Sequence, residues 1–413
     1  MEKKFSREAA DPQNPSWAAL VRRPAELYAR EDDIRSPFAR DYTRILHSLA
    51  YRRLKHKTQV FFNIENDHIC TRMEHVAHVA SVACTIAREL GLNVELARAM
   101  ALGHDLGHAP FGHHGEKVLD KISREYLGRR FWHEGNGLRF VDHLELLEDT
   151  QKQPRNLNLT YAVRDGIVCH CGEVAHGSLR PRGDCALPLE DISEPGRVQP
   201  ATWEGCVVKI SDKIAYLGRD IEDAESLGFM DEASREELRG IVRRKDDSAV
   251  NTTVIIHSLI IDLCCCSSPE KGLCLSPESV EFLEGIRKFN YRRIYSHQML
   301  GPFMRYAELV LNELFGELMR YYSGGHFAWQ AFEENRRFHP ELAQSFMRWL
   351  ALYCDPSVIP PNLPSGLLSP AAQNEKPYGR LDSQEIYVQA VLDFISGMTD
   401  RYAVKVYNEL LTY

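Results

Sequence analysis

The chain predicts an all-α fold, with at most a minor β-hairpin. Three observations carry this. Apolar residues recur at helical spacing through most of the 413 residues. Sustained alternation of apolar and polar residues is scarce. Helix stop signals, such as Gly91 directly after Leu90, close the periodic segments.

Taken in order, residues 1–35 read as an irregular lead-in with one short helix around 24–29. Residues 38–54 carry Ile45, Leu46, Leu49 and Leu54 at helical spacing, and Arg40, Arg44, Arg52 and Arg53 as a solvated face. Residues 57–62 read as an extended piece, half of a small hairpin. Residues 72–90 form a helix with Val76, Val79, Ala80, Ala83, Ile86, Ala87 and Leu90 as its apolar stripe; His75 and His78 share one side. Residues 94–106 form an alanine-rich helix that runs into His104-Asp105. Gly107, Pro110 and Gly112 break it into a tight loop, and a helix follows over 116–122.

His133-Glu134-Gly135-Asn136 opens a helix through Leu147. Residues 178–204, with Pro181, Pro188, Pro195 and Pro200, read as a long loop. Residues 207–224 form a helix that sets Asp212, Tyr216 and Asp220 on one face. Helical patterns continue at 232–243, 250–264, 276–288, 291–320 and 339–353. A Pro-rich loop over 356–380 precedes a last helix, 383–411. The expected organisation is a lead-in (1–35), a catalytic core (36–235) and a helical extension (236–413) packed on it as one compact unit.

Composition narrows the function. The net charge of -8 argues against a general nucleic-acid binder, although a local basic pocket remains compatible with it. No apolar run approaches the roughly 20 residues of a membrane span, and the first residues lack a signal-peptide core. Eleven cysteines, an odd number, with a run at Cys264-Cys265-Cys266, suggest a reducing cytoplasm rather than a disulfide framework. Cys169-His170-Cys171 fits no common zinc knuckle and reads as buried free thiols.

The chemistry concentrates between Arg72 and Glu116. His75, His104, Asp105 and the distant Asp212 offer two imidazoles and two carboxylates. Such a set suits a six-coordinate divalent ion (Mn, Mg, Fe, Ni or Zn) with positions left for water and a phosphate oxygen. A histidine alone on an apolar helix is more often a satisfied core residue. That reading weakens for four residues on three helices that must converge. His113 and Glu116, three apart after a glycine-rich turn, suit a general acid or base with its orienting carboxylate. Its competitor is a loop histidine that caps a helix; His114 faces another way and reads as a bystander. Arg72, His108, His133 and Lys213 could supply phosphate donors, or be ordinary charges. No Gly-x-x-x-x-Gly-Lys loop occurs.

These residues resemble the HD phosphohydrolase superfamily, and more closely its dGTP/dNTP triphosphohydrolases. The matching stretches are 53–61 (Arg-Leu-Lys-His-Lys-Thr-Gln-Val-Phe), 71–75 (Thr-Arg-Met-Glu-His) and 104–113 (His-Asp-Leu-Gly-His-Ala-Pro-Phe-Gly-His). They continue with 157–160, 212–216, 289–291 with 294–295, and 397–403 (Gly-Met-Thr-Asp-Arg-Tyr-Ala). The resemblance implies hydrolysis of a deoxynucleoside triphosphate, most readily dGTP, to deoxynucleoside and inorganic triphosphate. It implies a metal held by His75, His104, Asp105 and Asp212. His113 and Glu116 become the catalytic pair at the α-phosphorus, with His108 beside them. Arg72, His108, His133, Lys213 and Arg287 would bind phosphate. Gln59 and Asp220 would hold the sugar 3′-hydroxyl. Tyr216 would leave no room for a 2′-hydroxyl, and Tyr295 would lie near sugar or base. A homo-oligomer with regulatory nucleotide at subunit contacts is also implied.

The sequence departs from the bacterial pattern at Glu134 and Asn136, which puts base selectivity in question, and residues 240–275 match nothing in the family. Two further readings compete: an HD phosphohydrolase on another nucleotide phosphoester, and a nucleotide-sensing or single-strand-binding protein with a vestigial site.

Overall fold

The computed structural model describes residues 3–26, 33–61, 66, 68–149, 152–172, 178–243, 252–323, 326–360 and 374–411. Helices dominate. In chain order they are α1 (Trp17–Leu20), α2 (Pro37–His47), α3 (Leu49–Arg53), α4 (Arg72–Leu90), α5 (Val94–Gly103), α6 (Gly112–Leu127), α7 (His133–Arg139) and α8 (Tyr161–Cys169). They continue as α9 (Trp203–Ser226), α10 (Glu232–Arg243), α11 (Thr252–Cys266), α12 (Pro277–Asn290), α13 (Leu300–Met319), α14 (Trp329–Asn335), α15 (Pro340–Tyr353), α16 (Gln384–Ser396) and α17 (Asp400–Leu411). Two small antiparallel hairpins complete the described residues: β1 (Leu146–Glu148) with β2 (Pro154–Asn156), and β3 (Tyr322–Ser323) with β4 (His326–Phe327). The fold class is all-α.

Local chemistry explains the helix ends. Thr71 and Glu74 form a capping box at the start of α4, and Gly91 ends it in the left-handed region at φ 87°. Asn93 caps α5 through Glu95 N and Leu96 N. The expected single helix 38–54 is interrupted at Ser48. Its hydroxyl donates to Ile45 O (2.7 Å) and accepts from Tyr51 N (3.2 Å), so it caps a new helix instead of continuing the old one. The expected last helix, 383–411, divides likewise at Gly397–Thr399; Thr399 Oγ1 accepts from Tyr402 N at 3.1 Å and starts α17. The helix expected over 291–320 begins only at Leu300, after a π-helical turn at Tyr291–Tyr295.

Other expectations need correction. Residues 24–26 are not helical, and the rest of the expected 24–29 helix lies outside the described residues. Thr58 forms an isolated bridge with Thr71 rather than half of a hairpin. The helix expected over 116–122 spans Gly112–Leu127, so His113 sits in its first turn. Helix α8 was not anticipated. Every one of its residues except Arg164 is buried, so it is apolar nearly all round and shows no amphipathic period.

The lead-in is stitched to the body rather than loose. Phe5 N donates to Leu90 O at 2.8 Å, and Phe5 packs edge-on against Trp203. Helix α4 packs on α5 and α9, α5 also meets α2 and α8, and α6 meets α13 and α16. The apolar stripe of α4 faces inward: Val76, Val79, Ala83 and Ile86 have no exposed surface, and Ala80 alone of the stripe is partly exposed. Burial of each such large side chain contributes roughly 1.5–3 kcal/mol. These contacts bring the start of α4, the end of α5 and the middle of α9 to one place. No helix among the described residues is long and apolar enough to cross a membrane.

Candidate metal and phosphate site

His75 comes from the first turn of α4, His104 and Asp105 from the turn that ends α5, and Asp212 from the middle of α9. His75 Nε2 lies 3.0 Å from Asp212 Oδ1. His104 Nε2 lies 3.4 Å from Asp105 Oδ1 and 3.7 Å from Asp212 Oδ1, and His75 Nε2 is 3.9 Å from Asp105 Oδ2. His104 Nδ1 bonds to Ala101 O at 2.7 Å, which fixes the ring with Nε2 toward the acids. That Nε2 is wholly buried and has no hydrogen-bond partner. An orphaned imidazole nitrogen among carboxylates costs free energy unless an ion completes it. The ligand atoms of His75, His104 and Asp212 lie within 4.8 Å of one another, so the donor set fits a divalent metal. Burial pushes the Asp105 carboxyl up, but His104, His108 and Arg72 outweigh it and hold it well below the usual range. Burial also raises Asp212, and its hydrogen bond to His75 and the neighbouring imidazoles outweigh that. Both acids are therefore ionised, as ligands must be.

The loop after Asp105 is held by close backbone packing. A Cβ on Gly107 would fall 2.1 Å from both Gly137 N and His133 O, so only glycine lets α7 approach. Asn136 Nδ2 then donates to Gly107 O at 2.7 Å. Phe111 adopts φ 63°, a left-handed conformation uncommon for a bulky residue. It is held there by Asp400, whose Oδ1 accepts from Phe111 N at 2.9 Å. Asp400 Oδ2 accepts from Thr58 N (3.1 Å) and Thr58 Oγ1 (2.7 Å). The buried Lys57 donates to His108 O and, at 2.9 Å, to Ser396 O. The late Gly-Met-Thr-Asp block thus clamps the early loops against the site.

Above the acids lies a histidine cluster. His108 Nε2 contacts Asp105 Oδ1 at 3.1 Å. Its ring stacks on His133, centroids 3.8 Å apart and 20° from parallel. Glu116 Oε2 is 3.1 Å from His133 Nδ1 and 3.4 Å from His113 Nδ1. The His113 side chain is 68% exposed, while Glu116 is mostly covered. Burial and then the Arg72 and His133 charges push His108 well below the ordinary imidazole range. Burial lowers His133 too, but Glu134 and Glu116 more than reverse it. The two stacked rings are therefore shifted in opposite directions, His108 down and His133 up.

A cavity of about 510 Å³ opens over these groups, the size of a small-molecule site. Gln59, Arg72, His75, Asp105, His108, His113, His133, Asp212, Lys213, Tyr216, Asp220 and Tyr295 line it. Arg72 is buried and bonds to Asp105 Oδ2 at 2.9 Å. Lys213 Nζ rests on Gly172 O at 2.5 Å. Two oxygens stand without hydrogen-bond partners: Gln59 Oε1 and Asp220 Oδ1. The other Asp220 oxygen accepts from the Tyr295 hydroxyl. Burial raises Asp220 to about 7.

Of the sequence-derived residues, His104, Glu116 and Arg287 do not line the cavity; His104 and Glu116 stand directly behind residues that do, and Arg287 lies farther off. It lies on α12, half-exposed and 2.9 Å from Glu284, and its charge is felt by Tyr216. His114, taken as a bystander, lines the cavity beside Leu300 and Met304. His170 and Cys171 also line it, and sequence reasoning missed them. They sit at the end of α8, the helix without a visible period. The only signal was the Cys169-His170-Cys171 triplet, and only its last two residues reach the cavity.

Known proteins place this geometry in context. The HD domain model matches residues 72–217, and a phosphohydrolase-associated domain model matches residues 365–409. The chain is 34% identical over 393 residues to a protein of Caldanaerobacter subterraneus named deoxyguanosinetriphosphate triphosphohydrolase-like, covering 92% of this chain and 88% of that one. Proteins of the same name from Clostridium tetani (32%; 92% and 87% covered) and Desulfatibacillum aliphaticivorans (33%; 91% and 88%) match over similar lengths.

Proposed function

Because the chain belongs to the deoxyguanosinetriphosphate triphosphohydrolase-like family of HD-domain phosphohydrolases, we propose that it hydrolyses a deoxynucleoside triphosphate, dGTP foremost, to deoxynucleoside and inorganic triphosphate. The observation that carries this reading is the meeting of His75, His104, Asp105 and Asp212 beside a cavity that Arg72, Lys213 and His108 line. A divalent metal held by those four residues would act as a Lewis acid on a phosphoryl oxygen and polarise the attacking water.

The chain's own groups do the rest. Arg72 and Lys213 are fixed cations for the triphosphate tail. His108, anchored through Nε2 to Asp105, stands beside the tail as a further polar contact. Water attacks the α-phosphorus and the bond to the 5′-oxygen breaks. His113, oriented by Glu116, supplies the proton to the departing 5′-oxygen. His133, expected as a phosphate donor, serves better as the group that fixes Glu116. On the sugar side, the unpartnered oxygens of Gln59 and Asp220 suit a 3′-hydroxyl. Tyr216 forms the wall that a 2′-hydroxyl would strike. Tyr295 stands at the sugar or base. Arg287 acts at the rim as a long-range charge.

The test is a panel of the four dNTPs and GTP with Mn, with products separated. Released triphosphate, fastest from dGTP, is the expected result. Orthophosphate or pyrophosphate would move the chain to another phosphoester. No turnover, with nucleotide bound, would favour a sensing role. We also propose a homo-oligomer with regulatory nucleotide at its subunit contacts. Light scattering with and without dGTP checks it, and a monomer under both conditions refutes it.

A further inference from the structure

We propose that His133, Glu134, His170 and Cys171 form a second metal site, of the kind zinc prefers, beside the His75/His104/Asp105/Asp212 set. One ligand atom from each of these four residues lies within 4.8 Å of the other three. His133, Glu134 and His170 are almost wholly buried, and Cys171 is half-buried. The four come from two elements, the first turn of α7 and the end of α8, which pack on each other.

The supporting contacts are those a metal site requires. His170 Nδ1 bonds to Ile167 O at 2.7 Å, which leaves Nε2 as its ligand atom. His133 Nδ1 is held 3.1 Å from Glu116, and its Nε2 points at Cys171 Sγ, 3.7 Å away. That is the carboxylate–histidine–metal arrangement, with Glu116 as the outer partner. Glu134 is 1% exposed, and its Oε2 finds no donor in hydrogen-bonding geometry although it lies 3.4 Å from His133 Nδ1. A buried carboxylate oxygen without a donor is costly, and a cation satisfies it. Cys169 takes no part; its Sγ turns to Asp165 Oδ1 at 3.7 Å.

The donor sets distinguish the two sites. The first offers only nitrogen and oxygen. The second adds a thiolate, two imidazoles and one carboxylate, a four-coordinate set suited to zinc. Binding releases the Cys171 thiol proton and any proton on His133 to solvent, and no redox step is involved. His170 also lies within the same reach of His104 and Asp105, so the two sites adjoin. His133 then meets the substrate through the ion it holds rather than directly.

Cobalt(II) added to the metal-stripped chain tests this. Wild type should take up two equivalents and develop a thiolate-to-cobalt charge-transfer band. Cys171→Ser should take up one and lose the band. His75→Ala should keep the band while losing the other equivalent, which separates failure of this site from failure of the first. Zinc should also slow alkylation of Cys171 by iodoacetamide at least about tenfold, a reading that needs no variant and follows from metal capture of the thiolate. A single equivalent in wild type, a band that survives Cys171→Ser, or alkylation indifferent to zinc would each overturn the proposal.

Discussion

The Glu116 carboxylate sits closer to His133, 17 residues away, than to His113, three residues away: 3.1 Å against 3.4 Å. The distant imidazole thus fixes the acid that the neighbouring imidazole uses. Burial alone would raise Glu116, but the His133 charge and the bonds from His113 and His133 hold it far below the usual carboxylate range. It stays ionised through neutral pH.

Glu116→Gln keeps the shape and removes the charge. We expect kcat to fall roughly 10²–10⁴-fold, the usual size of a general acid–base contribution, with KM nearly unchanged. Steady-state kinetics decide; a kcat within about threefold of wild type would remove Glu116 from the mechanism.

Gly107→Ala places a methyl 2.1 Å from two backbone atoms of α7. Backbone cannot yield as a flexible side chain does. The variant should lose about 3 kcal/mol of stability, at the upper end for overpacking, and should lose turnover because His133 is displaced. Urea unfolding reads the first and dNTP hydrolysis the second. A fully active, fully stable variant would mean that the loop and α7 are less tightly joined.

Asp220 gives a pH signature. Its folded value of about 7 lies well above the ordinary carboxyl value of about 4. The folded chain therefore holds a proton that the unfolded chain has lost between these values. Stability should fall as pH rises from about 4 to about 7, then level off. In Asp220→Asn that component is absent. Comparing urea unfolding free energies of the two metal-free chains from pH 4 to 8 should show the variant gaining about 4 kcal/mol relative to wild type. Parallel curves would show that the carboxyl is solvated and ordinary.

Tyr216 bears on sugar choice. Tyr216→Ala should relax discrimination between dGTP and GTP by roughly tenfold or more, the scale on which a steric wall separates small differences. The ratio of kcat/KM values measures it. An unchanged ratio would assign the exclusion to another side chain.

The clustering of His75, His104, Asp105 and Asp212 was legible in the sequence, because His104-Asp105 between glycines is too expensive for an ordinary helix end. The sequence displayed the long amphipathic helices for the same kind of reason: α4 and α9 repeat their apolar residues at 3.6. Breaks made by single hydroxyls, at Ser48 and Thr399, did not show, since a serine or threonine in a helical pattern signals a cap only once its partner N–H is known. Nor did α8, whose uniform burial erases the period. With it went His170 and Cys171. The packing of Gly107 on α7 was equally invisible, because the residues that meet there are about 30 positions apart in the chain.

The Asp400 clamp sets an order of events during synthesis. Residues 58 and 111 leave the ribosome long before residue 400, yet both wait on its carboxylate for three hydrogen bonds. A nascent chain that already carries every residue of the His75 set still has an unfastened loop beside it. Closure of the loop beside the His75 set thus depends on the last helix, and a chain that stops short of residue 400 lacks the carboxylate that holds Phe111 and Thr58.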